Sequence, residues 1–138
     1  MLLLAISSFT RAQTDLEIRK VFDEYGKKKG AVMVELNGSV LDEYNFKTFK
    51  SITLSNLPAA GDFIRKCLAK DEAGAKKVKQ VLTNGKATAI ILQLAQKNNL
   101  NRIILFNESN STAPKTTLIY IETDGNTDDA LKHILKKK

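Results

Sequence analysis

The sequence predicts an α+β fold, with an antiparallel sheet of about five to six strands, helices packed mainly on one face, and a helix as both first and last element. Runs of β-branched and aliphatic residues follow one another through short polar turns, which is typical of antiparallel strands. Helical spacing of apolar residues occurs before the strands, between two groups of strands, and near the end of the chain. The 138 residues have the length of one domain.

Residues 1–12 have the pattern of the end of a secretory signal peptide. The apolar residues 2–6 precede two serines, and small residues occupy both key positions of Thr10-Arg11-Ala12. A positively charged start is missing and the segment is shorter than the usual length of roughly 15 to 30 residues, so we expect a truncated signal peptide over residues 1–12. A single α+β domain then occupies residues 13–138. The alternative is that residues 2–9 form a first strand or a short helix.

The first element expected in the domain is a helix over residues 15–25. Thr14 and Glu17 have the spacing of a capping box, and Gly26 offers a left-handed end to the helix. The apolar residues that recur at helical spacing are Ile18, Val21, Phe22 and Tyr25.

Strands are expected after this helix. Residues 31–36 form a short β-branched run, and Asn37-Gly38 is the strongest two-residue signal for a hairpin turn. We therefore expect a return strand over residues 39–44 and a third strand over residues 49–54.

Two helices are expected between the two groups of strands. Asn56 can cap the first helix and Pro58 suits its first turn. The apolar face of that helix comprises Phe63, Ile64, Cys67 and Leu68. Asp71 and Glu72 are expected to open a second, short helix that ends at Asn84-Gly85. Its apolar face comprises Ala75, Val78, Val81 and Leu82.

The rest of the chain predicts an antiparallel meander followed by a helix. Three strands are expected over residues 87–95, 100–107 and 116–122, with Asn98-Asn99 in the first turn. The last helix begins near Thr127, and Asp128 and Asp129 lie favourably in its first turn. Its inward-facing residues are expected to be Leu131, Ile134 and Leu135.

The net charge of +7 raises the question of nucleic-acid binding. The lysines form three groups, which are Lys27-Lys28-Lys29, then Lys76, Lys77 and Lys79, and then Lys132 with Lys136-Lys137-Lys138. Nucleic-acid sites usually combine lysine with arginine and with aromatic rings that stack on bases, and these groups contain neither. We therefore expect a solvated basic surface, which argues against nucleic acid as a partner.

No apolar stretch approaches the roughly 18 to 20 residues of a membrane-spanning helix, so no transmembrane segment is expected.

Few residues suggest catalysis or metal binding. The single histidine, His133, is expected on the exposed side of the last helix, and the single cysteine, Cys67, on an apolar face where a thiol is usually a core residue. These two residues cannot complete a zinc site without carboxylates. Residues 124–129 alternate oxygen-bearing side chains as calcium loops do, but lack the required glycine and glutamate. We predict no catalytic, cofactor-binding or metal-binding residues.

The candidate for ligand contact is the group Tyr44, Asn45 and Phe46. Sugar-binding surfaces use exposed aromatic rings, and this chain has three tyrosines and no tryptophan. Tyr25 lies on the apolar side of the first helix and Tyr120 lies in a strand, which leaves Tyr44. The alternative interpretation is an amphipathic residue at the edge of the sheet.

Residues 13–138 resemble the small exported proteins of unknown function of Bacteroides-type bacteria. The resemblance lies in the junction Ala12-Gln13, the first helix with Lys27-Lys28-Lys29-Gly30 and its Val-Met-Val strand, residues 49–54, and residues 117–122 with the terminal helix. It implies export and an α+β fold, and it carries over no catalytic residue.

From these observations we expect a non-enzymatic binding or interaction module of the bacterial cell envelope, periplasmic or secreted. Its partner would be an unidentified envelope protein or ligand, and no cofactor is expected. Two alternatives stay open, an intracellular basic protein that binds nucleic acid, and an enzyme whose carboxylate, lysine or tyrosine groups form no recognisable motif.

Overall fold

The computed structural model describes residues 16–36, 46–109 and 114–136, which contain six strands and three α-helices. In chain order these elements are α1 (Arg19–Tyr25), β1 (Ala31–Leu36), β2 (Phe46–Ser55), α2 (Pro58–Asp71), β3 (Ala75–Thr83), β4 (Lys86–Lys97), β5 (Leu100–Ser109), β6 (Lys115–Thr123) and α3 (Thr127–Lys136). The expected turn at Asn37-Gly38 and the expected strand over residues 39–44 lie outside the described residues, as do residues 1–12.

The six strands form one antiparallel sheet in the order β1-β2-β6-β5-β4-β3. Strands β3 to β6 form a meander in which each strand pairs with the next, and β1 and β3 are the edges among the described strands. The predicted α+β class and antiparallel sheet are confirmed, as is the order with a helix first and a helix last. β1 has the predicted bounds, and β2 and β4 to β6 extend beyond theirs.

The predicted helix between Asp71 and Asn84-Gly85 is wrong, because this segment is a short 3-10 turn, Glu72–Gly74, followed by strand β3. Asn84 and Gly85 both have positive φ, 54° and 78°, and they form the tight turn that joins β3 to β4. The spacing of Val78, Val81 and Leu82 fits a helix, but in the structure these side chains lie exposed on an edge strand. Asp71 itself ends α2.

Helix α1 begins at Arg19 rather than at residue 15, and its predicted capping residue Thr14 lies outside the described residues. The expected left-handed end at Gly26 is wrong, because Gly26 keeps a right-handed φ of −59°. The left-handed glycine is Gly30, with φ 90°, immediately before β1. A Cβ atom at Gly30 would lie 2.8 Å from the carbonyl oxygen of Ser55, so both backbone conformation and space require glycine there.

Helix α2 begins with Pro58 in its first turn, as predicted, but Asn56 is not its cap. Leu57 occupies the N-cap position, and Asn56 adopts a left-handed φ of 58° at the end of β2. The predicted apolar face is confirmed, because Ile64, Cys67 and Leu68 are buried and Phe63 packs against them.

Apolar side chains of the described residues form two clusters, which we call the main core and the second core. The main core joins α1 and α2 to the sheet through residues such as Val21, Phe22, Ile64 and Leu68. The second core joins Ala130, Leu131 and Ile134 of α3 to Phe46, Ile103 and Ile121. Neighbouring residues Ile103 and Ile104 of β5 belong to different cores because successive side chains in a strand point to opposite faces.

Candidate functional site

The predicted ligand-contact group is only partly described. Tyr44 and Asn45 lie outside the described residues. Phe46 begins β2, is buried in the second core, and stacks on Phe49 with ring centroids 6.3 Å apart. Ligand contact at Tyr44, Asn45 and Phe46 therefore stays a prediction.

The single cysteine is a core residue. Cys67 lies on α2 with 4% of its surface exposed, among the apolar side chains of the main core. Burial raises the pKa of its thiol, and the nearby carboxylates of Asp71 and Glu17 act in the same direction. A thiol in this position is a poor nucleophile. The side chain of His133 is not among those the structure describes, so its exposure stays a prediction.

A buried polar cluster lies on the main-core side of β5 and β6. Arg102 Nε donates a hydrogen bond to Tyr120 Oη over 3.0 Å, and Tyr120 Oη donates to Glu122 Oε2 over 2.7 Å. The other carboxylate oxygen of Glu122 accepts a 3.0 Å bond from Thr48 Oγ1 on β2. Burial raises the pKa of Tyr120 although the bond from Arg102 lowers it. The cluster ties three strands together, and it is enclosed rather than open to a substrate.

Sequence reasoning missed this cluster. Tyr120 and Glu122 alternate along β6 and therefore share a face, and Arg102 is directly opposite Glu122 on β5. The alternation is visible in the sequence, but the pairing of β5 with β6 in this register is needed to bring the arginine to the carboxylate.

An ion pair between Arg65 and Glu108 links α2 to the sheet. Arg65 donates from Nε to the carbonyl oxygen of Ala87 over 2.8 Å, and its guanidinium also contacts the carboxylates of Asp62 and Glu108. Gly61 allows this approach, because a Cβ atom there would collide with the Glu108 carboxylate. Arg65 and Glu108 therefore fix the position of α2 against the sheet.

A shallow cleft lies between α3 and the sheet on the second-core side. Ile91, Ile103 and Leu131 line its apolar part, and its empty volume of about 350 Å³ includes space open to solvent. The polar lining residues are Lys77, Lys79, Gln93, Thr127 and Asp128. The predicted basic group around Lys76 thus lies on strand β3 and partly at this cleft, not on a helix.

The exposed apolar surface of the described residues is concentrated at the sheet edges. Large apolar side chains that are exposed by more than a third occur on β1 and β3, namely Val32, Met33 and Val34, and Val78, Val81 and Leu82. β3 also carries Lys76, Lys77 and Lys79, and lysines on an edge strand discourage pairing with another sheet. β1, with the sequence AVMVEL, carries no lysine and one charged residue, Glu35. The edge formed by β1, which we call the β1 edge, is therefore the candidate interaction surface.

The backbone of β1 presents hydrogen-bonding groups to this edge. The amide of Ser55, at the end of β2, donates to the carbonyl of Gly30, immediately before β1, over 2.9 Å, which marks this position as a hydrogen-bonded one in the register. Such pairs alternate along antiparallel strands, so in the register of β1 and β2 the backbone groups of Val32 and Val34 point to β2. Those of Met33 and Glu35 consequently point away from the sheet.

Two further findings concern the described residues alone. Their helices are all too short or too polar to cross a membrane. Within the same part of the chain, no three histidine, cysteine, aspartate or glutamate side chains come together as a metal site.

The sequence profile of a family described as a family of unknown function (DUF6108) matches residues 5–135. No curated protein and no solved structure matches the chain.

Proposed function

The chain belongs to the DUF6108 family of unknown function, and we propose that it is a non-enzymatic binding or interaction module that is exported to the bacterial cell envelope. It acts in the periplasm or outside the cell, and its partner binds at the β1 edge. The observation that carries the interaction role is the combination of exposed valines and outward-pointing backbone groups on a lysine-free edge strand.

The exposed valines support a role in binding because burying apolar side chains away from water is favourable. Val32 is 62% exposed and Val34 38% exposed, on the same side of β1. An added strand would bury both side chains and give hydrogen-bond partners to Met33 and Glu35, which is how β-strand addition provides affinity. Val81 is 58% exposed on β3, but there it stands among lysines that oppose the same kind of pairing.

Export is supported by the N-terminal sequence. An apolar run is followed by serines and by Thr10-Arg11-Ala12, as at the end of a secretory leader. The resemblance to exported proteins of Bacteroides-type bacteria supports the same location. A single cysteine, buried in the core, is compatible with an oxidising compartment because it forms no exposed reactive thiol.

The absence of enzymatic activity is proposed from the environment of the most reactive groups. Burial raises the pKa of the Cys67 thiol and of the Tyr120 phenol, so both stay protonated near neutral pH. Tyr120, Arg102 and Glu122 bond one another inside the protein. These groups therefore support a structural role rather than a reaction.

The export proposal is tested by expressing the chain from its native gene with the codons upstream. We expect the mature protein in the envelope or medium fraction. Its measured mass should equal that of a chain that begins at Gln13, after cleavage behind Ala12. The variant Leu4→Lys places a charge in the apolar run and is expected to stay uncleaved in the cytoplasm, whereas the matched control Leu4→Ile is exported. A wild-type protein that keeps Met1 and stays in the cytoplasm contradicts the export proposal and favours the intracellular alternatives.

A further inference from the structure

We infer that the β1 edge binds the β1 edge of a second copy of this chain, so that two sheets join across a two-fold axis. This inference rests on the proposed interaction role of β1 and names its partner. It does not depend on export, so its test and the export test can fail separately.

The backbone of β1 is complementary to itself. The outward-pointing groups belong to the odd-numbered residues Met33 and Glu35, and antiparallel strands pair outward groups with outward groups. A two-fold axis through Met33 places Met33 opposite Met33 of the second copy and Glu35 opposite its Ala31. The amide of Ala31 already donates to the carbonyl of Lys28 over 3.1 Å, which leaves its carbonyl for the Glu35 amide.

In this two-fold arrangement the exposed side chains of the two β1 strands also face one another. Directly opposite residues in antiparallel strands share a face of the sheet. Val32 of one copy therefore lies opposite Val34 of the other, and the two-fold axis repeats this contact. Four exposed valines become one continuous apolar cluster.

The charges near β1 favour an antiparallel pair of identical strands. Lys27-Lys28-Lys29 precede β1 and Glu35 lies close to its end. Antiparallel pairing brings each Glu35 towards the lysines of the other copy, whereas parallel pairing would place like charges side by side. β3 carries Lys76, Lys77 and Lys79 and no carboxylate, so two copies of β3 would repel each other.

A two-fold pair through β1 also forms a closed dimer, whereas pairing of β1 with β3 of the next copy would continue into a fibre.

The first experiment measures the mass of the purified full chain by sedimentation equilibrium over a range of concentrations. We expect the wild type to reach twice the chain mass of 15.3 kDa. Val32→Lys should weaken dimerisation by about tenfold or more, because it puts two charges into the paired valine cluster. Val81→Lys is the matched control, since Val81 has a similar exposure, 58% against 62%, on the other edge, and it should leave the dimer unchanged.

The second experiment tests the register. Residues in a hydrogen-bonded antiparallel pair have Cα atoms about 5.5 Å apart, a separation that a disulfide can span. Met33→Cys should therefore form a disulfide-linked dimer on mild oxidation, and Val81→Cys should not. Cys67 is buried and does not compete.

Three results would overturn the inference. These are a wild-type chain that stays monomeric at every concentration, a dimer that Val81→Lys disrupts and Val32→Lys does not, and cross-linking through Val81→Cys in place of Met33→Cys. Circular dichroism of each variant establishes that it is folded. If Val32→Lys is not folded, Val34→Lys replaces it and carries the same expectation.

Discussion

The buried hydrogen bonds between Arg102, Tyr120 and Glu122 show what single residues contribute to this fold. Each polar atom of the tyrosine and the carboxylate has a partner, and Thr48 extends the cluster to β2. Among the described residues, no buried side-chain nitrogen or oxygen atom lacks a hydrogen-bond partner. The cluster therefore fixes the register of three strands, because a shift of one residue would turn these groups to the other face of the sheet.

Replacing Tyr120 with phenylalanine tests this contribution. The ring is retained, but Arg102 and Glu122 each lose a hydrogen bond inside the protein, so we expect a loss of about 1 to 3 kcal/mol in the free energy of unfolding near neutral pH. Urea denaturation measures the change. Tyr25→Phe, on a partly exposed tyrosine, is the control and should change stability by less.

The difference in stability between the wild type and Tyr120→Phe should depend on pH. The pKa of Tyr120 is raised in the folded state, whereas an unfolded tyrosine ionises at about pH 10. The stability that the wild type gains over Tyr120→Phe is therefore fully present below that pH and declines as the pH rises above it. A difference that stays constant at higher pH would show that the phenol is not held protonated by the fold.

The elements differ in how far the sequence predicts them. β1, β2 and β4 to β6 are predicted because their apolar runs and turn residues are local signals. α2 and α3 are predicted because proline or acidic residues mark their starts and apolar spacing marks their buried sides. β3 is predicted wrongly because an exposed edge strand has no alternating buried face, so the chance helical spacing of its apolar residues dominates.

The start of α1 depends on a contact that local sequence does not contain. The carboxylate of Asp71, at the end of α2, accepts hydrogen bonds from the amides of Glu17 and Ile18 over 2.7 and 3.0 Å. Asp71 thus accepts from the Glu17 amide, which a capping box would pair with Thr14, and from the Ile18 amide as well. Only the packing of α1 beside α2 brings these residues together, since they are more than 50 positions apart in the chain.

Replacing Asp71 with alanine should therefore detach the start of α1. Two amides, one of them on the fully buried Ile18, lose their acceptor, and we expect a loss of about 1 to 3 kcal/mol in the free energy of unfolding. The matched control is Glu72→Ala, at the exposed neighbouring position, which should stay within about 0.5 kcal/mol of the wild type. Equal effects of the two substitutions in urea denaturation would contradict the assigned role of Asp71.

The two edges of the sheet, among the described strands, have opposite chemistry. β3 is long, exposed and rich in lysine, whereas β1 is short, apolar and free of lysine. The sequence predicts β1 as a strand, but it does not place β1 at an edge, because strand order depends on long-range pairing. Residue types alone therefore point to Tyr44, Asn45 and Phe46, whereas the β1 edge is defined by the order of the strands in the sheet.

Amide hydrogen exchange, measured at low and high protein concentration, distinguishes a β1 edge that pairs with its own copy from one that does not. The amides of Val32 and Val34 point to β2 and should be protected at every concentration. Those of Met33 and Glu35 point away and should become protected only as the concentration rises. Met33 and Glu35 amides that exchange freely at all concentrations, while Val32 and Val34 stay protected, would show that β1 does not pair with its own copy.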